Sequence, residues 1–196
     1  MYQQKYSHIL NHGVNISIPR QGTTYTGKAM IGRIGRSFSD YSVHNKRMIV
    51  ALLESGLTTG DLVQAGLETF LCVASKKQVV HGQEICIVGH GLLCNSTITV
   101  TREVPVYDSQ GNLLGTSATT IISNIPCHTQ VVTAGMKLKD PGYNPSTVLE
   151  VTAQNNPAVA LLDKATIAGN VYRIDDIDRF KIPGCMCLQL SVWAGG

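Results

Sequence analysis

The chain has 196 residues, of which 43% are hydrophobic and 15% charged, a composition that excludes a disordered chain or a coiled coil. No apolar run reaches the ~18 residues of a membrane-spanning helix, and we expect no secretory signal because the first residues lack an apolar segment. The net charge of +3 is unevenly placed: residues 1–50 carry seven basic and one acidic side chains, and residues 51–196 carry nine basic and twelve acidic. This asymmetry fits contact with DNA, or head-to-tail packing of copies, and a solvated basic face is the simpler alternative.

The segment GTTYTGKAM (22–30) comes within one residue of the nucleotide-binding pattern Gly-x4-Gly-Lys-Ser/Thr. Lys28 could hold a phosphate, but Ala29 replaces the hydroxyl residue that binds the metal ion. The glycines that follow would make a poor first turn of a helix, and no alternation of strands and helices follows downstream. We therefore predict a β-hairpin with Gly22 and Gly27 in turns.

Short runs rich in β-branched and aromatic residues, separated by glycine or polar turns, predict strands along the rest of the chain. The predicted strands are 48–54, 61–64, 69–74, 84–88, 97–102, 118–125, 129–134, 148–153, 165–168, 171–177 and 186–192. The run 48–54 also fits a helix by its periodicity. Only residues 156–163 (NPAVALLD) predict a helix, which is short and has a proline near its start.

The turn sequence Asp-Ser-Gln-Gly within 104–115 marks a natural boundary between two halves. We predict a mainly β protein with two small antiparallel β-barrel or sandwich modules, residues 1–103 and 104–196, and little helix. A weak internal repeat agrees with this division, because the segments that start at Ala65 and Ala168 each contain Ala-Gly, an aromatic residue, a basic turn and then a glycine.

Two clusters could be interpreted as metal sites. His81, Cys86, His90 and Cys94 offer four zinc ligands, but their spacing lacks the close ligand pairs of zinc sites. The six cysteines are expected to stay reduced and to pack as small apolar residues, with Cys185 and Cys187 on the same face of one strand.

The second cluster consists of carboxylates. Asp175 and Asp176 are expected on opposite faces of a strand, so they cannot easily chelate one ion together with Asp163 and Asp178. The basic residues nearby are simpler partners: Arg173, Arg179 and Lys181. We predict no catalytic residue, no metal and no cofactor, and therefore a protein that is not an enzyme.

The N-terminal third interleaves basic and aromatic residues, as single-strand-binding proteins do. The residues concerned are Arg33, Arg36, Lys46 and Arg47 with Tyr25, Phe38 and Tyr41. No recognised nucleic-acid-binding signature accompanies them. A nucleic-acid-binding β-barrel is therefore kept as an alternative.

Residues 53–103 contain a Gly-Asp-apolar step, an aromatic-led strand, a glycine-turned hairpin and the pattern Leu-x-Cys-Asn-x-x-Ile leading to an arginine. These features are Gly60-Asp61-Leu62, Phe70 to Val73, Gly82, Leu92 to Asn95, Ile98 and Arg102. Their order resembles the head-completion and head-closure proteins of tailed-bacteriophage necks, the head-to-tail connectors. A looser echo, without Gly-Asp, occurs in AGNVYRIDDIDRFKIPG of the second half.

The resemblance implies a structural virion protein that forms a homo-oligomeric ring between portal and tail, closes the DNA-filled head and docks the tail. Its implied partners are other copies, portal or adaptor and tail proteins, and packaged DNA, with no membrane. Assembly would take place in the bacterial host cytoplasm. The family has no catalytic residue to carry over, and a tail terminator, adaptor or tube protein would show a similar sequence.

Because the two charged regions have opposite signs, we predict that they lie at subunit or portal contacts or face the DNA channel. The candidate residues are Arg20, Lys28, Arg33, Arg36, Lys46, Arg47, Asp175, Asp176 and Asp178.

Overall fold

A computed structural model describes residues 2–20, 22–33 and 45–193 of the chain. It divides into two compact units, Met1–Cys94 with Ile182–Cys185, and Asn95–Lys181 with Met186–Gly196. Each unit is built on a closed six-stranded antiparallel β-barrel, which confirms the predicted fold class. The predicted boundary after residue 103 is replaced by one between Cys94 and Asn95, because residues 96–107 form one continuous strand.

The first unit contains the N-terminal helix and barrel 1. Its elements are α1 (Tyr2–His12), β1 (Val14–Arg20), β2 (Thr23–Arg33), β3 (Lys46–Ala51), a 3-10 turn (Leu53–Ser55), β4 (Leu62–Ala65), β5 (Glu68–Val80) and β6 (Gln83–Leu93). The strands follow one another around the barrel in the order β1-β2-β3-β6-β5-β4. The barrel closes where Ser17 of β1 lies opposite Gln64 of β4.

The second unit contains barrel 2. Its elements are β7 (Ser96–Tyr107), β8 (Leu113–Val131), α2 (Ala134–Lys139), β9 (Leu149–Gln154), β10 (Lys164–Ile167), β11 (Asn170–Asp178) and β12 (Cys185–Val192). The strand order is β7-β8-β9-β12-β11-β10. In the described part of the chain, no helix is long and apolar enough to cross a membrane.

Barrel 2 repeats barrel 1 in topology and in register. The two strand orders are identical when the strands of each barrel are counted from its first. Phe70 in β5 and Tyr172 in β11 occupy the same position, opposite the second residue of β4 and of β10. A β-bulge follows Cys72 in β5 and Ile174 in β11, again at matching positions. The weak repeat in the sequence thus corresponds to equivalent hairpins of two like barrels.

Alternation along the strands fills each barrel with apolar side chains. The buried core of barrel 1 includes Ile16, Ile18, Ala29, Ile49, Val63, Phe70 and Cys72. The buried core of barrel 2 includes Ile98, Val100, Val151, Ile174, Met186, Leu188 and Leu190. A smaller cluster outside barrel 1 joins Ile9 of α1 to Leu52 and Cys86.

Three local predictions were wrong. Residues 156–163 form two turns instead of a helix, and the Arg179 guanidinium binds the carbonyl oxygens of Asn156 and Val159 there, at 3.3 and 2.7 Å. The two strands predicted at 118–125 and 129–134 are parts of the single strand β8. Helices α1 and α2 were not predicted, because both are short and lack a clear apolar period.

An arginine from the first strand of barrel 1 forms an ion pair with an aspartate that lies just before the fourth strand. Arg20 Nε and Nη2 donate to the two carboxylate oxygens of Asp61 at 3.3 and 2.6 Å. Nη2 also donates to the carbonyl oxygen of Gly56 at 2.8 Å. The backbone N–H of Thr58 donates to the same carboxylate at 2.9 Å. We call this arrangement the Arg–Asp clamp.

Barrel 2 contains the same clamp. Arg102 Nε and Nη2 donate to Asp163 at 2.7 and 2.9 Å, and Nη2 also donates to the carbonyl oxygen of Ala158 at 2.8 Å. The backbone N–H of Ala160 donates to the carboxylate at 2.8 Å. The side chains of Asp61 and Asp163 are only 10% and 2% exposed. A carboxylate so far from water needs a full set of donors. Because these donors come from the first strand and from the segment just before the fourth, the clamp holds together the two strands that close each barrel.

We expect Asp163→Ala to destabilise barrel 2. The substitution leaves the backbone N–H of Ala160 without its acceptor, which alone costs roughly 1–3 kcal/mol. The measurement is the free energy of unfolding from urea titration. The matched control is Asp176→Ala, an exposed aspartate of the same barrel, which we expect to change that free energy by about 0.5 kcal/mol or less. Equal effects of the two substitutions would contradict a role for the clamp.

Candidate assembly and nucleic-acid-binding surfaces

The segment GTTYTGKAM forms a β-hairpin, as predicted, and no helix follows it among residues 22–33. Gly22 lies in the turn with φ +79°. The prediction for Gly27 was wrong, because this residue lies inside β2 opposite Ile16. A Cβ atom at Gly27 would come within 2.2 Å of the Tyr25 Oη. The ring of Tyr25 therefore covers this glycine.

Three of the candidate basic residues lie together at the ends of β2 and β3. Arg33, the last residue of β2, pairs directly with Arg47 of β3, and Lys46 begins β3. We call Arg33, Lys46 and Arg47 the basic rim. Two like charges at directly opposed positions repel each other, so the rim favours an anionic partner. Arg36 lies outside the described residues.

The other two basic candidates have structural contacts. Arg20 belongs to the clamp of barrel 1. Lys28 Nζ donates to the carbonyl oxygen of Leu10 at 2.7 Å, in the last turn of α1. A cation at this end of a helix satisfies a free carbonyl group and opposes the helix dipole. Both residues thus help to hold barrel 1 together.

The three acidic candidates accept hydrogen bonds from other groups of the second unit. The side chain of Asp175 is only 4% exposed and accepts from Arg173 Nε at 2.7 Å. Burial raises the pKa of Asp175, but the hydrogen bonds it accepts and the charge of Arg173 outweigh burial and leave the pKa below its ordinary value. Asp178 accepts the backbone N–H groups of Phe180 and Lys181, at 2.8 and 2.9 Å, and these bonds lower its pKa.

Asp176 is exposed, and its carboxylate accepts from Gln189 Nε2 at 3.3 Å. The bulge after Ile174 disturbs the alternation expected for Asp175 and Asp176. The structure therefore gives the three aspartates local partners instead of one open acidic face. A contact between them and the basic N-terminal region of another copy stays a prediction.

The possible zinc ligands do not converge. Among the residues that the structure describes, no three histidine, cysteine or acidic side chains are placed to hold a metal ion. All six cysteines are free thiols, and five of them are buried. Burial raises the pKa of Cys72 to about 12 and that of Cys94 to about 11. These thiols behave as packing groups, since the reactive form of a cysteine is its thiolate.

β7 and β8 continue as a pair beyond barrel 2. β10 pairs with β7 only at residues 98–101, and β9 pairs with β8 only at residues 127–131. Among the residues that the structure describes, residues 102–107 therefore pair only with residues 113–119, in a two-stranded segment that we call the ribbon. Asp108 closes its turn by accepting the backbone N–H groups of Gln110 and Asn112, both at 2.8 Å.

The ribbon exposes a series of large apolar side chains. They are Val104, Val106, Tyr107, Leu113 and Leu114, which are 40–68% exposed. The sequence predicts the turn at this place but not the exposed surface, because alternating apolar residues predict a strand with one buried face. The run of exposed residues from 113 to 120 in β8 is visible only in the folded chain.

No family model matches the chain, and no curated protein matches it. Among solved structures, the complex of MrkH with c-di-GMP from K. pneumonia aligns with 97% of this chain and 84% of that chain, at 5% sequence identity and a TM-score of 0.19. A TM-score this low identifies neither a shared fold nor a shared ligand.

We expect Asp175→Asn to reduce stability at neutral pH and to lose this effect in acid. The pKa of Asp175 is lower in the folded chain than in the unfolded one, so its stabilising effect is present above the unfolded value of about 4 and disappears as the pH falls through the folded value. The measurement is the free energy of unfolding of both proteins between pH 3 and pH 7. A difference that stays constant over this range would contradict the interpretation. Asp176→Asn is the control for a change of charge on the same strand.

Proposed function

We propose that this chain is a structural virion protein of a tailed-phage neck, which forms a homo-oligomeric ring between portal and tail. In this role it completes the DNA-filled head and docks the tail. It is not an enzyme, it needs no cofactor, and it assembles in the host cytoplasm with other copies, portal or adaptor proteins and tail proteins. Packaged DNA passes through the ring.

One observation carries the proposal: a basic surface and an apolar surface are carried by separate modules. The basic rim of barrel 1 sets Arg33 directly opposite Arg47, an arrangement that favours the phosphates of DNA. The ribbon of barrel 2 exposes five large apolar side chains, an arrangement that favours another protein. A ring around DNA needs both kinds of surface.

The residues of the phage-neck resemblance support the proposal at the level of the scaffold. Asp61 and Arg102 belong to the two clamps, and Phe70 is fully buried in the core of barrel 1. The Asn95 side chain bonds the backbone N–H and carbonyl of Thr129, at 2.8 and 2.9 Å. These residues carry the fold, and the neck function is inferred from the resemblance by analogy.

A nucleic-acid-binding β-barrel is the second candidate, and the basic rim favours it as well. The two candidate functions differ in whether the purified monomer binds DNA. A purified monomer whose DNA affinity falls steeply with salt would favour the second candidate. A ring without measurable affinity for free DNA would favour the neck.

The proposal is tested on virions of the phage that encodes the chain. We expect mass spectrometry to find the protein in purified particles, and antibody labelling in electron micrographs to mark the junction of head and tail. Disruption of the gene is expected to give filled heads that release DNA and tails that do not attach. Absence of the protein from particles would refute the proposal.

We expect the double substitution Arg33→Glu and Lys46→Glu to impair genome retention. The reversed charges would repel packaged DNA, and the rim lies at strand ends, so the barrel core is unchanged. The measurement is the fraction of particles that keep their DNA, determined in a complementation assay. The matched control is Lys76→Glu with Lys139→Glu, which makes the same change of net charge at two exposed positions. Equal retention in both variants would show that the rim does not face DNA.

A further inference from the structure

Beyond its base, where Arg102 and Glu103 are bound to Asp163 and Lys164 of barrel 2, the ribbon is a two-stranded segment. Among the described strands, residues 102–107 and 113–119 pair only with each other, and a two-stranded hairpin by itself is at best marginally stable in water. Both outer edges of the ribbon present strand edges, which readily pair with another strand. Its tip adds the exposed side chains of Tyr107, Leu113 and Leu114. This segment has the features of an arm that inserts into another protein.

Barrel 1 carries a surface that fits such an arm. In the part of the chain that the structure describes, one residue pair, Ser17 with Gln64, joins β1 to β4. In barrel 2, four pairs join the equivalent strands β7 and β10. The seam of barrel 1 therefore has fewer paired residues than the seam of barrel 2. Among the described strands, only β2 pairs with the segment of β1 before Ser17, which leaves the other edge of that segment open to a further strand.

Two adjoining depressions of about 580 and 670 Å³ lie along this seam. Both are lined by Asn15, Lys28 and Gly66, and we call them together the seam groove. Their lining combines strand edge with apolar surface, including Val14, which is 48% exposed. Leu67 follows Gly66 directly and is fully exposed.

The charges of the two surfaces are complementary. The ribbon and its turn, residues 102–119, contain two acidic residues, Glu103 and Asp108, and one basic residue, Arg102, for a net charge of −1. Arg102 is bound to Asp163 and Glu103 to Lys164, so Asp108 is the charge that the ribbon offers to a partner. Hydrogen bonds from Asn112 and from the backbone of the turn lower the pKa of Asp108, so its charge persists well into acid. The charged residues that line the seam groove are Lys28, Arg47 and Glu68, with a net charge of +1.

We propose that the ribbon of one copy binds in the seam groove of the next copy and adds a strand to the edge of β1. Each copy then offers one arm and one groove, which are different surfaces, so contacts run head to tail and close into a ring. The inference rests on the proposed ring and names the contact that builds it. The second copy is preferred over another protein because one chain carries both an acidic apolar arm and a basic groove with an open edge.

Cross-linking between two variants, each with one introduced cysteine at an exposed position, tests the contact. Leu114→Cys places a thiol on the ribbon and Leu67→Cys places one beside the groove, both at exposed positions. The two purified proteins are mixed and treated with a short bismaleimide. We expect a dimer band from the mixture that is several times stronger than the band from either variant alone. Because each protein carries one introduced thiol, a link between the two sites in the mixture joins two copies.

A second measurement gives the oligomeric state by sedimentation. The double substitution Leu113→Ser and Leu114→Ser changes side chains that are already exposed, so we expect a folded protein that stays monomeric at concentrations where the wild type assembles. The matched control is Leu138→Ser with Phe180→Ser, two positions that are 87% and 94% exposed, and it is expected to assemble like the wild type. Circular dichroism and thermal unfolding verify the fold of both variants.

Three results would overturn the inference: a wild-type protein that stays monomeric at the highest concentration, cross-links that form only between ribbons, and a ribbon variant that assembles normally. These results leave the neck proposal in place if the protein is found at the head–tail junction of virions. Conversely, a ribbon-to-groove ring made by a protein that is absent from virions would refute the neck proposal alone.

Discussion

A nearly buried aspartate held by an arginine is the contact on which both barrels depend. Each carboxylate receives two bonds from the guanidinium and one from a backbone N–H group three residues earlier. Because the arginine comes from the first strand and the aspartate stands before the fourth, the contact joins the two strands whose meeting closes the barrel. A buried charge without these donors would cost several kcal/mol, so the closure and the ion pair require each other.

The repetition of this contact explains the architecture of the whole chain. The acceptor, the two backbone contacts and the β-bulge after the fifth-strand core residue all recur at matching positions. Even the backbone before each aspartate is alike, with positive φ at Gly60 (93°) and Leu162 (69°). A left-handed leucine is unfavourable, and it is retained where the neighbouring aspartate must reach its donors. The two modules are best understood as two copies of one design.

Outside this shared design the barrels differ, and the proposed functional surfaces lie at the differences. Barrel 1 has a basic rim and a seam with one paired residue on each strand, whereas barrel 2 has a seam of four pairs and strands that run on into the ribbon. Most residues of the phage-neck resemblance lie in the shared scaffold, while the proposed DNA and subunit contacts lie where the two barrels differ. Two residues serve both the scaffold and these surfaces: Lys28 holds α1 and lines the seam groove, and Arg102 forms a clamp at the base of the ribbon.

The sequence by itself determined the β-rich class, the two modules, most strand positions and the hairpin in place of a nucleotide site, because alternation, β-branched runs and glycine-punctuated turns are local signals. It also indicated the repeat, through the matching order of Ala-Gly, aromatic residue, basic turn and glycine after Ala65 and Ala168. Only the tertiary structure decided that Arg20 serves a clamp and that the acidic residues of β11 are satisfied within their own barrel. Only the tertiary structure also showed that the apolar side chains of the ribbon are exposed. The clamp ion pairs join residues that are 41 or 61 positions apart in the sequence. These pairs, and the point at which β7 and β8 leave the barrel, depend on how the sheet closes. No local sequence pattern encodes that closure.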